Sequence, residues 1–304
     1  METQRINPLL CDIESGLCEL PDSPSATQQH VSSSPTQPVR IIYFTDPICS
    51  SCWGIEPQLR RLKLEYGPYI ELEYRMGGLL PDWSYNSGGI SKPADVASHW
   101  DEVSGHYDMP IDGDVWLEDP LDSSYPASIA FKAAQLQGSQ KAIRFLRAVR
   151  ELVFLHKKNI AKWAHLATAA KQAGLDVDQF ETDYNGKAIA LFEDDLALGR
   201  QLGVRGFPTL FFVDSQGQLE KVYGTQPYAT YENALQKQLP SVAKMPIDSD
   251  WKRLFATFRT LTTREFAELS GHDRQEAAGY LQSLVDGGHL DKVVTKNGVL
   301  WVRP

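Results

Sequence analysis

The sequence predicts an α/β fold, interrupted by a helical insertion and followed by a small separate module. Three features carry that prediction. The apolar run Val39-Arg40-Ile41-Ile42-Tyr43-Phe44 reads as a buried strand, and the turn signal Asp46-Pro47 hands it on to a helical pattern. Between about residues 91 and 202, apolar side chains recur at helical spacing. Thr209-Leu210-Phe211-Phe212-Val213 and Leu219-Glu220-Lys221-Val222-Tyr223 then flank Asp214-Ser215-Gln216-Gly217, a hairpin signal.

In chain order, residues 1–38 come first. Pro21 to Pro38 is rich in Ser, Thr, Gln and Pro and nearly lacks apolar residues, which predicts a disordered tail carrying Cys11 and Cys18. Residues 39–45 form the buried strand. A helix follows from about Cys49 to Tyr66, with Ile55, Leu59 and Leu62 on one face and a kink expected at Pro57. Tyr69 to Met76 reads as a second strand, closed by Gly77-Gly78. The helical block has segments opening at Pro126, running through Ala142–Val149 towards His156, and covering Ile160–Gly174, about Asp178–Tyr184 and Ala188–Leu202. Gly174 suits a helix C-terminus. After the hairpin, Tyr228 to Leu239 is a last helix. Strand, helix, strand, helical insert (about 91–202), strand, strand, helix is a thioredoxin-like arrangement over residues 39–240.

Residues 241–249 read as a linker and 250–304 as a winged-helix-like module. Thr262-Thr263-Arg264-Glu265 has the capping-box pattern, and Asp273 to Val285 gives a second helix. Leu290–Val294 and Val299–Val302 flank Lys296-Asn297-Gly298, a tight hairpin.

Composition narrows the function classes. A hydrophobic fraction of 42% supplies a core, and a net charge of −9 argues against non-specific nucleic-acid binding. The module's basic and acidic side chains are nearly balanced, which favours docking to protein over binding DNA. No stretch is long and apolar enough to span a membrane, and the N-terminus lacks the pattern of a secretory signal, so a cytoplasmic location is expected. In a reducing compartment a C-x-x-C is redox-active or metal-binding rather than a structural staple.

Cys49-Ser50-Ser51-Cys52, at the start of a helix, is the chemistry-bearing motif. Thiol-disulfide exchange needs an attacking thiolate and a second thiol to resolve the mixed disulfide. Cys49, at the helix edge, is the expected nucleophile and the more exposed sulfur, its pKa lowered by the helix N-terminus. Cys52, one turn in, is the expected resolving thiol. The spacing alone also fits half a metal site or chance. Farther along, Gly203-Val204-Arg205-Gly206-Phe207-Pro208-Thr209 leads into a strand. A proline there is a candidate for a cis bond, and its missing N–H leaves the strand edge open to an incoming peptide. An ordinary loop proline fits equally.

Together these segments resemble the DsbA-like branch of the thioredoxin superfamily. The resemblance rests on Asp46-Pro47-Ile48-Cys49-Ser50-Ser51-Cys52-Trp53-Gly54, on Pro57, and on the Gly203–Thr209 loop. It extends through the insert around Ser124-Tyr125-Pro126-Ala127 and Phe192–Ala197 and covers about residues 39–240. It implies catalytic cysteines at Cys49 and Cys52, and substrate-binding roles for Phe207, Pro208 and Trp53. It implies cytoplasmic FrnE-type oxidoreductase chemistry on protein or small-molecule thiols and disulfides, with no bound cofactor. Two alternatives come with it. The chain also resembles a subgroup of adaptors that deliver a redox-responsive regulator to the ClpXP protease, with a cysteine-containing N-terminal segment and Trp-Gly after the motif. The third branch is the glutathione-dependent 2-hydroxychromene-2-carboxylate isomerase type, which usually has Ser in place of the first cysteine. Ser50-Ser51 between the cysteines departs from the Pro-His of the strongly oxidising periplasmic members.

Cys11 and Cys18 are candidate auxiliary thiols, for relay or, with outside ligands, for Zn²⁺. His30 is the only histidine nearby, and the remaining histidines are scattered without metal spacing, so no metal site is expected.

Overall fold

The computed structural model describes residues 18–19, 38–84 and 92–304. Cys11 and nearly all of the expected disordered tail lie outside the described residues. The strands of the first part are β1 (Cys18–Glu19), β2 (Val39–Thr45), β3 (Ile70–Met76), β4 (Gly206–Phe207), β5 (Thr209–Val213) and β6 (Leu219–Tyr223). A four-stranded sheet has the order β3-β2-β5-β6. β2 runs parallel to β3 and antiparallel to β5, which pairs antiparallel with β6. β2 is buried along almost its whole length, which is why it reads as an apolar run and not as an alternation.

The expected helix from Cys49 to Tyr66 is two helices, α1 (Ser50–Gly54) and α2 (Glu56–Tyr66). Pro57 lacks the N–H that would continue the ladder, so the break falls at Ile55, whose carbonyl still accepts from Leu59 N at 3.0 Å. The insert carries α3 (Ala94–Tyr107), a short α4 (Val115–Glu118), α5 (Tyr125–Leu136), α6 (Ser139–Leu155), α7 (Trp163–Gln172), α8 (Val177–Tyr184) and α9 (Lys187–Gln201). Gly174 follows the end of α7 with a φ of +75°, as the C-terminal stop requires. α10 (Tyr228–Gln238) packs against β5 and β6.

The C-terminal residues build α11 (Trp251–Thr257), β7 (Thr260–Thr262), α12 (Thr263–Ser270), α13 (Arg274–Asp286), β8 (Asp291–Thr295) and β9 (Gly298–Val302), with strand order β7-β9-β8. The capping box forms as expected: Thr262 Oγ1 accepts from Glu265 N at 3.2 Å, and the Glu265 carboxylate accepts from Thr262 N at 2.7 Å. α11 and β7 escaped the sequence reading because each is too short to show a period.

This module is docked on the first part, with α12 packed on α2. Glu265 is wholly buried between two arginines of the first part. It takes a bidentate pair from Arg147 at 2.7 and 3.0 Å, and Arg60 lies 3.1 Å away. The hairpin tip docks as well. Lys296 Nζ reaches Asp101 at 2.6 Å and Asp114 at 2.7 Å, and Asn297 donates to the Ile111 carbonyl at 2.8 Å.

Candidate active site

The two cysteines sit at the C-terminal end of β2, where the chain turns into α1. Cys49 is the N-cap of α1, and its Sγ accepts from the backbone N of Cys52 at 3.2 Å. This places the two residues one helical turn apart, as the spacing implies. Both are fully buried, which corrects the expectation that Cys49 would be the more exposed.

The electrostatics also run opposite to expectation. Burial pushes the Cys49 thiol up, and its hydrogen bond with Cys52 and the negative charge of Cys52 push it further. Burial alone would raise Cys52 too, but the Cys49 hydrogen bond, the Arg150 charge and the Thr45 and Tyr43 hydroxyls hold it below the ordinary thiol range. α1 is only five residues long, so its dipole is small. The nearer full charge is Arg150, which comes from α6 and is completely buried. Its guanidinium donates to Thr45 Oγ1 at 2.6 Å and to Glu56 Oε1 at 2.5 Å.

Asp46 is a second buried group beneath the motif. Its carboxylate accepts from Ile48 N at 3.0 Å, Leu79 N at 2.8 Å and Ser124 Oγ at 2.9 Å. Burial outweighs these bonds and lifts its pKa from 3.8 to about 6.

The Gly203–Thr209 loop does what a proline before a strand allows. The Phe207-Pro208 bond is cis, and β4 lies immediately before it. The Phe207 side chain is fully buried and fills the space above Gly77, where even a Cβ would come within 1.7 Å of its ring. Its contribution to any substrate would therefore come from its backbone edge. Gly54 plays a matching part for Tyr107. An added Cβ would lie 2.6 Å from the ring, so glycine lets Tyr107 close over α1 and bring its hydroxyl to 2.9 Å from Ser51 Oγ.

Trp53 needs a correction. It was expected to touch substrate, but it is wholly buried. Its indole N–H donates to the Pro110 carbonyl at 3.1 Å, its ring stacks on Phe154 at 5.5 Å, and the Arg147 guanidinium lies 4.4 Å above it. Arg147 is also the residue that grips Glu265, so Trp53 joins the cysteine motif to the module. Of the candidate auxiliary thiols, Cys18 is described through its backbone alone, in β1.

Arg150, Asp46 and Tyr107 were missed as site residues. Arg150 did leave a signal, since it falls on the apolar face of α6 with Leu146, Val149 and Val153, where a charge is out of place unless paired. Among the described residues, no group of three or more His, Cys, Asp or Glu gathers as a metal site, and no helix is long and apolar enough to cross a membrane.

A thioredoxin family profile matches residues 43–233, from β2 through α10, and so spans the cysteines and the cis-proline loop. The chain belongs to the thioredoxin family. Within this family it is 35% identical over 303 residues to the ClpXP adapter protein SpxH of Halalkalibacterium halodurans, covering 97% of each chain. It is 30% identical over 277 residues to the ClpXP adapter protein SpxH of Bacillus subtilis, covering 90% of this chain and 91% of that one. The fold is shared with the cytosolic disulfide reductase DsbM of Pseudomonas aeruginosa, with a TM-score of 0.53 and 22% identity. That match covers 99% of DsbM but 65% of this chain, so a third of this thioredoxin-family protein has no counterpart there.

Proposed function

We propose that this chain is a cytoplasmic adapter that binds a redox-responsive regulator and delivers it to ClpXP, with a winged-helix-like module fixed to its thioredoxin domain. The observation that carries the reading is the 35% identity to an SpxH adapter across 97% of both chains, which takes in the module as well as the thioredoxin domain. A disulfide enzyme that lacked the module would match only in part. The test is proteome-wide turnover in cells with and without the gene, in ClpP-containing and ClpP-lacking backgrounds. At least one regulator should live longer without the gene, and only where ClpP is present. No such protein would end the adapter reading. If docking needs no chemistry at the sulfurs, a Cys49→Ser/Cys52→Ser chain restores turnover.

A second reading, thiol-disulfide exchange, is favoured by Cys49 Sγ standing 3.2 Å from Cys52 N and by a cis Phe207-Pro208 bond at the entry to β5, whose Thr209 pairs with Phe44 of β2. In the oxidising direction a client thiolate attacks Sγ of Cys49 in a Cys49–Cys52 disulfide. The client–Cys49 bond forms and Cys52 leaves as a thiolate. A second client thiolate then attacks the client sulfur and expels Cys49. The client loses two electrons and the cysteine pair gains them. A reversible two-electron couple in the purified chain, lost in Cys49→Ser, checks this. Its absence in the unaltered chain sinks it.

A further inference from the structure

The edge strand beside the cis-proline bond already has a partner. β1 pairs antiparallel with β4, with Cys18 opposite Phe207 and Glu19 opposite Gly206. An incoming polypeptide would use this same edge, because adding a strand requires free backbone donors and acceptors. The expected nucleophile, Cys49, and the Phe207 side chain are both fully buried. An exchange site must be reached by its client, so the arrangement is a closed one.

We propose that the Gly206–Phe207 edge is a docking edge for an extended polypeptide, held shut by the chain's own Cys18–Glu19 segment. The proposal rests on the second reading above, in which this edge receives a client beside Cys49. The segment is suited to displacement. A two-residue ladder offers only a few backbone hydrogen bonds, each worth a net ~1 kcal/mol. Because the segment is joined to β2 by the same chain, its return to the edge is intramolecular and competes as if at about millimolar concentration. A client present at far lower concentration must therefore bring further contacts of its own. The closed edge thus selects clients that also grip the chain elsewhere, as an adapter's client would.

The decisive variant keeps the full chain and replaces Cys18 and Glu19 by proline, which removes the ladder N–H whichever of the two residues turns it towards β4. Among the described residues the hydrophobic core starts at Val39, so the substitutions spare it. Cys18→Ser serves as control for the thiol. Amide hydrogen exchange at whichever of Gly206 and Phe207 turns its N–H towards β1 should rise about tenfold in the double-proline chain, the factor for losing one or two net hydrogen bonds, and stay unchanged in Cys18→Ser. In oxidised chains, the rate of exchange with reduced, unfolded ribonuclease A should rise several-fold relative to the rate with dithiothreitol. Wild-type protection at both amides in the double-proline chain overturns the proposal, as does an unchanged rate ratio in a chain that does exchange. If neither chain exchanges with either reagent, the exchange reading fails, and the amide protection alone decides whether the edge is occupied.

Discussion

Asp46 and Arg150 set the chemistry of the cysteine pair from below, and both do so because they are buried. Arg150 keeps its charge because Glu56 and Thr45 satisfy it, and that charge favours the thiolate of Cys52. Asp46 has three donors and feels the Arg150 charge only weakly, so burial wins and its carboxyl binds a proton more tightly folded than unfolded. A raised carboxyl stabilises the fold below its unfolded pKa, and that contribution is lost as the pH rises through its folded pKa. Carrying the group from 3.8 to about 6 is worth roughly 3 kcal/mol. The unfolding free energy of the wild type, measured relative to Asp46→Asn by urea titration, should therefore fall by about 3 kcal/mol between about pH 3 and pH 7, most of it between about pH 4 and pH 6. A gap that stays flat, or widens with pH, would show that Asp46 is ionised throughout.

At the scale of elements, one carboxylate does two jobs. Glu265 completes the capping box that starts α12 and also locks α12 to the first part through Arg147 and Arg60. Losing a helix cap costs about 1 kcal/mol, whereas removing one partner of a buried ion network costs about 3–5 kcal/mol. Glu265→Ala should therefore lower stability several times more than Thr262→Ala, and should speed protease cleavage within 241–249. Equal losses in urea unfolding would reduce Glu265 to a cap. The contrast also explains what could be read from the chain. The capping box, the break at Pro57, the cysteine pair and the loop at Pro208 depend on residues a few positions apart, so their spacing revealed them. The grip of Arg147 on Glu265 joins residues 118 apart, Arg150 reaches Thr45 across 105, and Ser51 meets Tyr107 across 56. Such pairs leave at most an out-of-place charge in the sequence. Trp53 was misread for the same reason, since the residues that bury it come from α6 and the segment after α3.

At the scale of the whole molecule, the described residues form two hydrophobic cores, and they interlock. Leu300 of β9 is buried in the larger core, with Val293 and Val302 packed against it. Leu64 of α2 packs in return on the smaller core of the module. Polar contacts reinforce the seam on both sides of the cysteine motif. Arg264 donates to the Tyr107 carbonyl at 3.1 Å and Arg274 pairs with Asp108 at 2.6 Å, so α12 and α13 brace the segment that closes over α1. A module held this way does not behave as a bead on a linker. Its release would expose apolar surface on both partners and strand Arg60 and Arg147 without Glu265, a cost comparable to a large part of a domain's stability. The chain should therefore unfold in one cooperative step. Urea transitions followed by circular dichroism, dominated by the helical insert, should coincide with those followed by the fluorescence of the module's Trp251 and Trp301 in a chain whose other tryptophans are replaced by Phe. Leu300→Ala, which opens a cavity at the seam and costs about 2–5 kcal/mol, should shift both signals to the same lower midpoint. Two separated transitions in the parent chain would mean that the module unfolds on its own, and that the contacts from Trp53 through Arg147 to Glu265 do not carry the state of the cysteine site into it.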